Sequence, residues 1–170
     1  MEPRIPPVSV AHAPDEIRDT LEQFSRLRGD DASVLNVFGT LANHPKLFRR
    51  WLVFANHVLL KSTLDPRTRE LAILRVGWRC HAPYEWGQHV VVGRAAGLTD
   101  DDIRRVAAGP DAEGWTPADA ATLCATDEQV LDLVFAVGNY HIVSFALNAC
   151  GVQRDDGVDD TTLPFPPAAS

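Results

Sequence analysis

Residues 127–150 read DEQVLDLVFAVGNYHIVSFALNAC, and Gly151 follows. On a helical wheel Leu131, Val134, Phe135, Val137, Ile142 and Phe145 fall on several faces rather than on one stripe. A helix apolar nearly all round is shielded from water only at the centre of a domain or at a subunit interface. This segment therefore demands neighbours, and the rest of the chain supplies them as amphipathic helices.

Asp15 to Leu27 puts Ile17, Leu21 and Phe24 on one face, at spacings of four and three. Val34–Leu41 predicts a second, short helix, closed by the breaker Asn43-His44-Pro45. Pro45–Ser62 predicts a longer one with Leu47, Trp51, Phe54 and Val58 on one side. Pro66 and Pro83 suit the first turns of two more, Pro66–Arg79 and Pro83–Ala96, with Gly97 ending the second. Thr99 to Asp102 reads as a capping box for a further short helix, and Thr116-Pro117 as the start of another. No period-2 alternation competes with this pattern, so the fold class is all-α.

The 170 residues favour one domain with a real core. The expected divisions are an N-terminal arm over 1–13, a helical domain over 14–152, and an acidic, Pro-rich tail over 153–170 with an extended or mobile course. A formal net charge of −7 disfavours nucleic acid and anionic membrane as partners. No apolar leader and no span of roughly 20 apolar residues is evident, and Cys80, Cys124 and Cys150 are odd in number and far apart. These features favour a cytoplasmic location with reduced thiols.

The densest chemistry lies in CHAPYEWGQH, Cys80 to His89. Glu85 and His89, four apart, project from one helical face. If the helices on either side of Cys80-His81-Ala82 run antiparallel, Glu70 approaches His89 more readily than Glu85 does. An imidazole flanked by carboxylates is held in one tautomer with its cation stabilised, and a second carboxylate desolvated by Trp78, Trp86 or Tyr84 can carry a proton near neutrality. Tyr84 offers a donor for a carbonyl or enolate oxygen. The bland alternatives are a helix-dipole role for Glu70, a solvated i,i+4 pair for Glu85 and His89, core packing for both tryptophans, and a small buried hydrophobe in Cys80. Glu70, His81, Glu85 and His89 include good metal ligands, but without an HExxH or paired ExxH motif no metal and no cofactor is assigned. His57, on an apolar face, and Tyr140, His141 and Asn148, interrupting the last helix, are candidate pocket residues. His57 and Asn148 are the stronger two.

The segment RELAILRVGWRCHAPYEWGQHVVVGRAAGLTDDDI, Arg69 to Ile103, resembles the core of the carboxymuconolactone decarboxylase family, which includes the alkyl hydroperoxidase D-like proteins. The flanks agree, so the resemblance runs from roughly Val34 to Gln153, and LDLVFAVGNYHIVSFALNACGVQ resembles the closing helix of the subgroup that carries YEWGQH. The resemblance implies an alkyl hydroperoxidase D-like helical domain with a central hairpin. It also implies homo-oligomers, commonly trimers or hexamers, with a dimer as the alternative. The peroxidase branch carries a Glu followed by C-x-x-C-x-x-x-H. On this chain the Glu falls on Glu70 and the His on His89, the redox cysteines fall on Ala82 and Glu85, and a relay His falls on Tyr84. Dithiol peroxidase chemistry needs a low-pKa thiolate and a resolving thiol, and neither motif position holds one. The decarboxylase branch implies acid/base chemistry on lactone acids without a cofactor. Between Trp115 and Asp127 the chain is shorter than the subgroup pattern, which implies a reduced pocket wall.

The expectation is a cofactor-independent acid/base lyase or isomerase for a small carbonyl or carboxylate compound. Glu70, Tyr84, Glu85 and His89 are its catalytic residues, and His57, Cys80, Trp86 and Asn148 contact substrate. The alternatives are a single-cysteine peroxidase using Cys80 and a non-catalytic small-molecule-binding or assembly domain.

Overall fold

Prolines and short polar caps punctuate the chain into helices. In the computed structural model these are α1 (Asp15–Arg28), α2 (Asn36–Leu41), α3 (Pro45–Asn56), α4 (Pro66–Arg79), α5 (Pro83–Ala95), α6 (Asp100–Ala108) and α7 (Asp127–Cys150). The structure describes residues 2–28, 35–109, 111–115, 119, 127–158 and 163–164. Among the described residues there is no strand, so the chain is all-α. The helix expected at Thr116-Pro117 and most of the short 115–127 region lie outside them.

Prolines open α3, α4 and α5, where a missing N–H costs nothing. Asp65 caps α4 by accepting from the Thr68 N–H, and Thr99 and Asp102 form the expected reciprocal box on α6. The long helix expected over Pro45–Ser62 is two pieces: α3 passes at His57–Lys61 into a π-helical turn.

α4 and α5 form an antiparallel hairpin, and α7 packs across both. The hairpin turns at His81, which takes a left-handed φ of 51°. The helices come together at Gly77, where even an added Cβ would make only ordinary contact, with the Trp86 N at 3.4 Å and the Glu85 Cβ at 3.7 Å. One apolar cluster gathers Leu74, Trp86, Val90, Leu98 and Ile103 between α4, α5 and α6. A second joins α1 to α2 and α3 through Ile17, Leu21, Ala42 and Phe48. In α7, Ala136, Asn139, Tyr140, Val143, Ser144 and Leu147 are buried, while the opposite side is exposed. Leu131–Cys150 meets the length and composition of a membrane span, contrary to the sequence-based expectation. Its packed, partly polar inner face is that of a core helix.

The described parts of the arm and the tail are fastened to the body. The arm lies on the body: the Val8 N–H donates to Gly39 O, and the Ile5 N–H to Cys150 O. The described part of the tail is irregular and is held on the body. Asp155 bonds to three groups of the body, and Leu163 is buried in the cluster with Leu74 and Trp86.

Candidate functional site

Glu70 sits in the second turn of α4, past the position where it would oppose the helix dipole, and it is fully buried. The antiparallel hairpin brings it to His89 in the middle of α5: Glu70 Oε2 lies 2.6 Å from His89 Nδ1. Glu85, one turn before His89 on the same helix, places Oε1 3.1 Å from Nε2. Both ring nitrogens thus face carboxylates, in the order Glu70–His89–Glu85, and all three side chains are buried. Burial by itself would push the His89 pKa down; bonds and charges from Glu70 and Glu85 overcome it and raise the pKa to about 9. His89 is therefore an imidazolium at neutral pH.

Two more groups complete the surroundings. The Tyr140 ring of α7 stands edge-on to His89, centroids 4.9 Å apart. Arg69, the residue before Glu70, donates from Nε to Glu70 Oε1 at 3.3 Å. Among the described residues no group of three or more His, Cys, Asp or Glu side chains is arranged to hold a metal ion.

The remaining expected residues are placed elsewhere. Tyr84 is buried, but its hydroxyl is engaged: it donates to Asp155 Oδ2 at 2.6 Å and accepts from the Val37 N–H at 3.1 Å. Burial first, then Asp155, pushes its pKa well up, so it is a fixed neutral donor to the tail rather than a free donor for a substrate oxygen. His57 is exposed beside Asp132 at 3.5 Å, because nine residues after buried Phe48 it lies on the opposite side of the helix. Trp86 is fully buried in the core against Trp78, with ring centroids 5.2 Å apart, and is no pocket wall. Asn148 donates to the carbonyls of Cys80 and His81 at 2.9 and 3.2 Å, so it caps the end of α4. Cys80 is half-buried and packs on the cluster of Val58, Ile73, Val76, Ala136 and Tyr140; burial raises its thiol pKa, and Arg79 only partly opposes this. His141 bonds to the Val137 carbonyl of its own helix.

Sequence reasoning missed Arg69, Gln88 and Asp155. Gln88 shares the i,i+4 relation with Tyr84 and donates to Asp155 at 2.9 Å, a local signal that was available. Nothing local in QRDDGVDD marks Asp155 among its acidic neighbours. An apolar cavity of about 130 Å³ lies between α2, α3 and α7, lined by Val37, Trp51, Ile142, Val143 and Leu147 among others, and includes none of Glu70, Glu85 and His89.

Residues 45–128 match the model of the Carboxymuconolactone decarboxylase family. No curated protein matches the chain. A crystal structure from Ralstonia eutropha JMP134, described as an alkylhydroperoxidase AhpD core and an uncharacterized peroxidase-related protein, superposes with a TM-score of 0.78 at 21% identity, covering 91% of this chain and 93% of that one. An uncharacterized peroxidase-related protein from Silicibacter sp. TM1040 gives a TM-score of 0.69 at 17% identity, covering 86% and 88%. At these identities the likeness is one of fold.

Proposed function

The chain belongs to the carboxymuconolactone decarboxylase family, and on that premise we propose that it is a cofactor-independent acid/base enzyme acting on a small carbonyl or carboxylate compound. The reaction class is decarboxylation, isomerisation or dehydration. The observation that carries this is the buried Glu70–His89–Glu85 chain, with a carboxylate at each imidazole nitrogen. Glu70 fixes the ring and supports its cation. Glu85, on the other nitrogen, is the group that takes a proton from the substrate. The proton on Nε2 of His89 offsets negative charge as it builds on the substrate, and can be delivered to it. Tyr84 is left out of this scheme because its hydroxyl is occupied. The single-cysteine alternative gains nothing from Cys80, whose thiol is held toward its protonated, unreactive form by burial.

The test is a screen of small keto acids and lactone acids followed by kinetics of the best substrate. Glu85→Gln and His89→Ala each lower kcat/KM by roughly two orders of magnitude or more, with circular dichroism confirming the fold. Unchanged rates in either variant overturn the assignment. The wild-type kcat/KM falls as pH rises through about 9, where His89 loses its proton.

The outer side of α7 supports a homo-oligomer. Leu131, Val134, Phe135, Ile142 and Phe145 are each more than half exposed along one helix, and a contiguous apolar stripe of this kind marks an interaction surface. Its proposed occupant is a second copy of the chain. Light scattering of the purified protein then gives a multiple of the 18.6 kDa chain, and paired Phe135→Glu and Phe145→Glu substitutions give the monomer. A wild-type monomer contradicts it.

A further inference from the structure

The cavity between α2, α3 and α7 plays no part in the proton-transfer scheme. It holds about 130 Å³. Val37, Phe48, Val143 and Leu147, all buried, form its inner wall. Leu47 and Ile142, 56% and 63% exposed, stand at its mouth and leave a way in. Three helices thus close around a space that their own side chains do not fill, although interiors are ordinarily packed without voids of this size.

The chemistry of the wall decides what can occupy it. No charged side chain lines it, and almost all of its surface is apolar. The few polar atoms nearby are withdrawn. Trp51 lines the cavity, but its Nε1–H donates to Asn139 Oδ1 at 3.1 Å. Thr40 also lines it, 4% exposed, with a hydroxyl that is shut off from water-sized molecules and has no hydrogen-bond partner. A water held in a cavity needs two to four polar partners, and this wall does not present them. An ion would lose its hydration without compensation. An apolar cavity of about 150 Å³ stays dry and takes up benzene, so the size here suits one small ring.

We propose that this cavity is a binding site for a small uncharged hydrocarbon-like compound about the size of benzene, separate from Glu70, Glu85 and His89. Such a ligand gains dispersion contacts on every side of the inner wall and gives up no hydrogen bond on entering. The same wall residues Val37, Val143 and Leu147 pack with Tyr84 in one cluster, so the occupant joins α2 and α7 behind the Tyr84 ring. A second copy of the chain is the rival occupant, because Ile142 belongs to the exposed stripe of α7 as well as to the mouth.

Benzene, phenol and benzoate test this in the full-length protein, followed through assigned methyl signals. Benzene gives saturable shifts at Val37, Val143 and Leu147, and none at Val90 and Leu98 in the cluster between α4, α5 and α6. Phenol, the same ring with a hydroxyl that finds no partner, binds roughly tenfold or more weakly. Benzoate gives no response. Ala146→Leu, which adds bulk at a half-buried lining position of α7, abolishes the benzene response with the helical circular dichroism retained. Thr40→Val removes the unpartnered hydroxyl at nearly the same shape and binds benzene at least as tightly, a result that stands even where Ala146→Leu fails to fold. Glu85→Gln responds to benzene as wild type does. No saturable response in wild type, phenol or benzoate binding as tightly as benzene, or a full response in folded Ala146→Leu each overturns the proposal. So does weaker binding in Thr40→Val, or a response lost in Glu85→Gln. A response seen only after the paired Phe135→Glu and Phe145→Glu substitutions gives the cavity to a second copy of the chain and overturns it too.

Discussion

Helix α5 presents two i,i+4 pairs, offset by a single residue, and each closes on a carboxylate from elsewhere in the chain. Tyr84 and Gln88 hold Asp155 of the tail, which also accepts from the Asn36 N–H. Glu85 and His89 meet Glu70 of α4. The first set consists of neutral donors around one acceptor, and the half-buried Asp155 is satisfied by three bonds. Its bonds run between three separate segments, so its work is to tie tail, α5 and the start of α2 together. The second set puts one titratable ring between two carboxylates in a buried place. There a proton has alternative positions, and the pKa of the ring is displaced to about 9. The same helical spacing thus builds a clasp on one side and a proton-transfer element on the other; residue type and burial decide which.

That contrast is open to attack from both sides. The largest effect is expected from Glu70→Gln, which replaces the charge on Nδ1 by a neutral amide. Turnover should drop about a hundredfold, and the His89 pKa should fall from about 9 toward its ordinary value, read by NMR. Retained turnover would make Glu70 a packing residue. Asp155→Ala should cost about 1–3 kcal/mol of stability, because three donors lose a charged acceptor, while the His89 pKa stays raised. Chemical denaturation measures the first and NMR the second; a collapse of the His89 pKa in this variant would show that the two sides are not separate. Tyr84→Phe should have the smallest effect, about 0.5–1.5 kcal/mol of stability with kcat/KM nearly unchanged. A loss of activity without a loss of stability would return Tyr84 to the catalytic set.

Much of this arrangement is legible in the sequence itself. Proline at first turns, the Thr99 box and apolar spacing locate the helices because capping and periodicity are local. The meeting of Glu70 with His89 follows from one further step, the antiparallel hairpin around His81. What local pattern does not contain is the rest of the surroundings. Tyr84 reads as a free phenol until Asp155, 71 residues later, takes its hydroxyl. His57 reads as an inward polar residue because Phe54 and Leu60 are near it, but Leu60 is itself exposed and His57 lies opposite buried Phe48. Asn148 reads as a pocket amide until the end of α4 is seen to need its donors. Each miss comes from a tertiary partner or from apolar neighbours that do not mark a buried face.

The central claim is that His89 is a buried cation poised between two carboxylates, and its titration tests this most directly. The folded pKa of about 9 exceeds the ordinary 6.5. The stability it contributes is therefore complete below about 6.5, and it is lost as pH rises through about 9. An NMR titration of the His89 ring from neutrality upward should find the imidazolium persisting through pH 7 and 8 and deprotonating near 9, with the melting temperature declining over the same range. A midpoint at or below 6.5, with a flat melting temperature, would contradict the account.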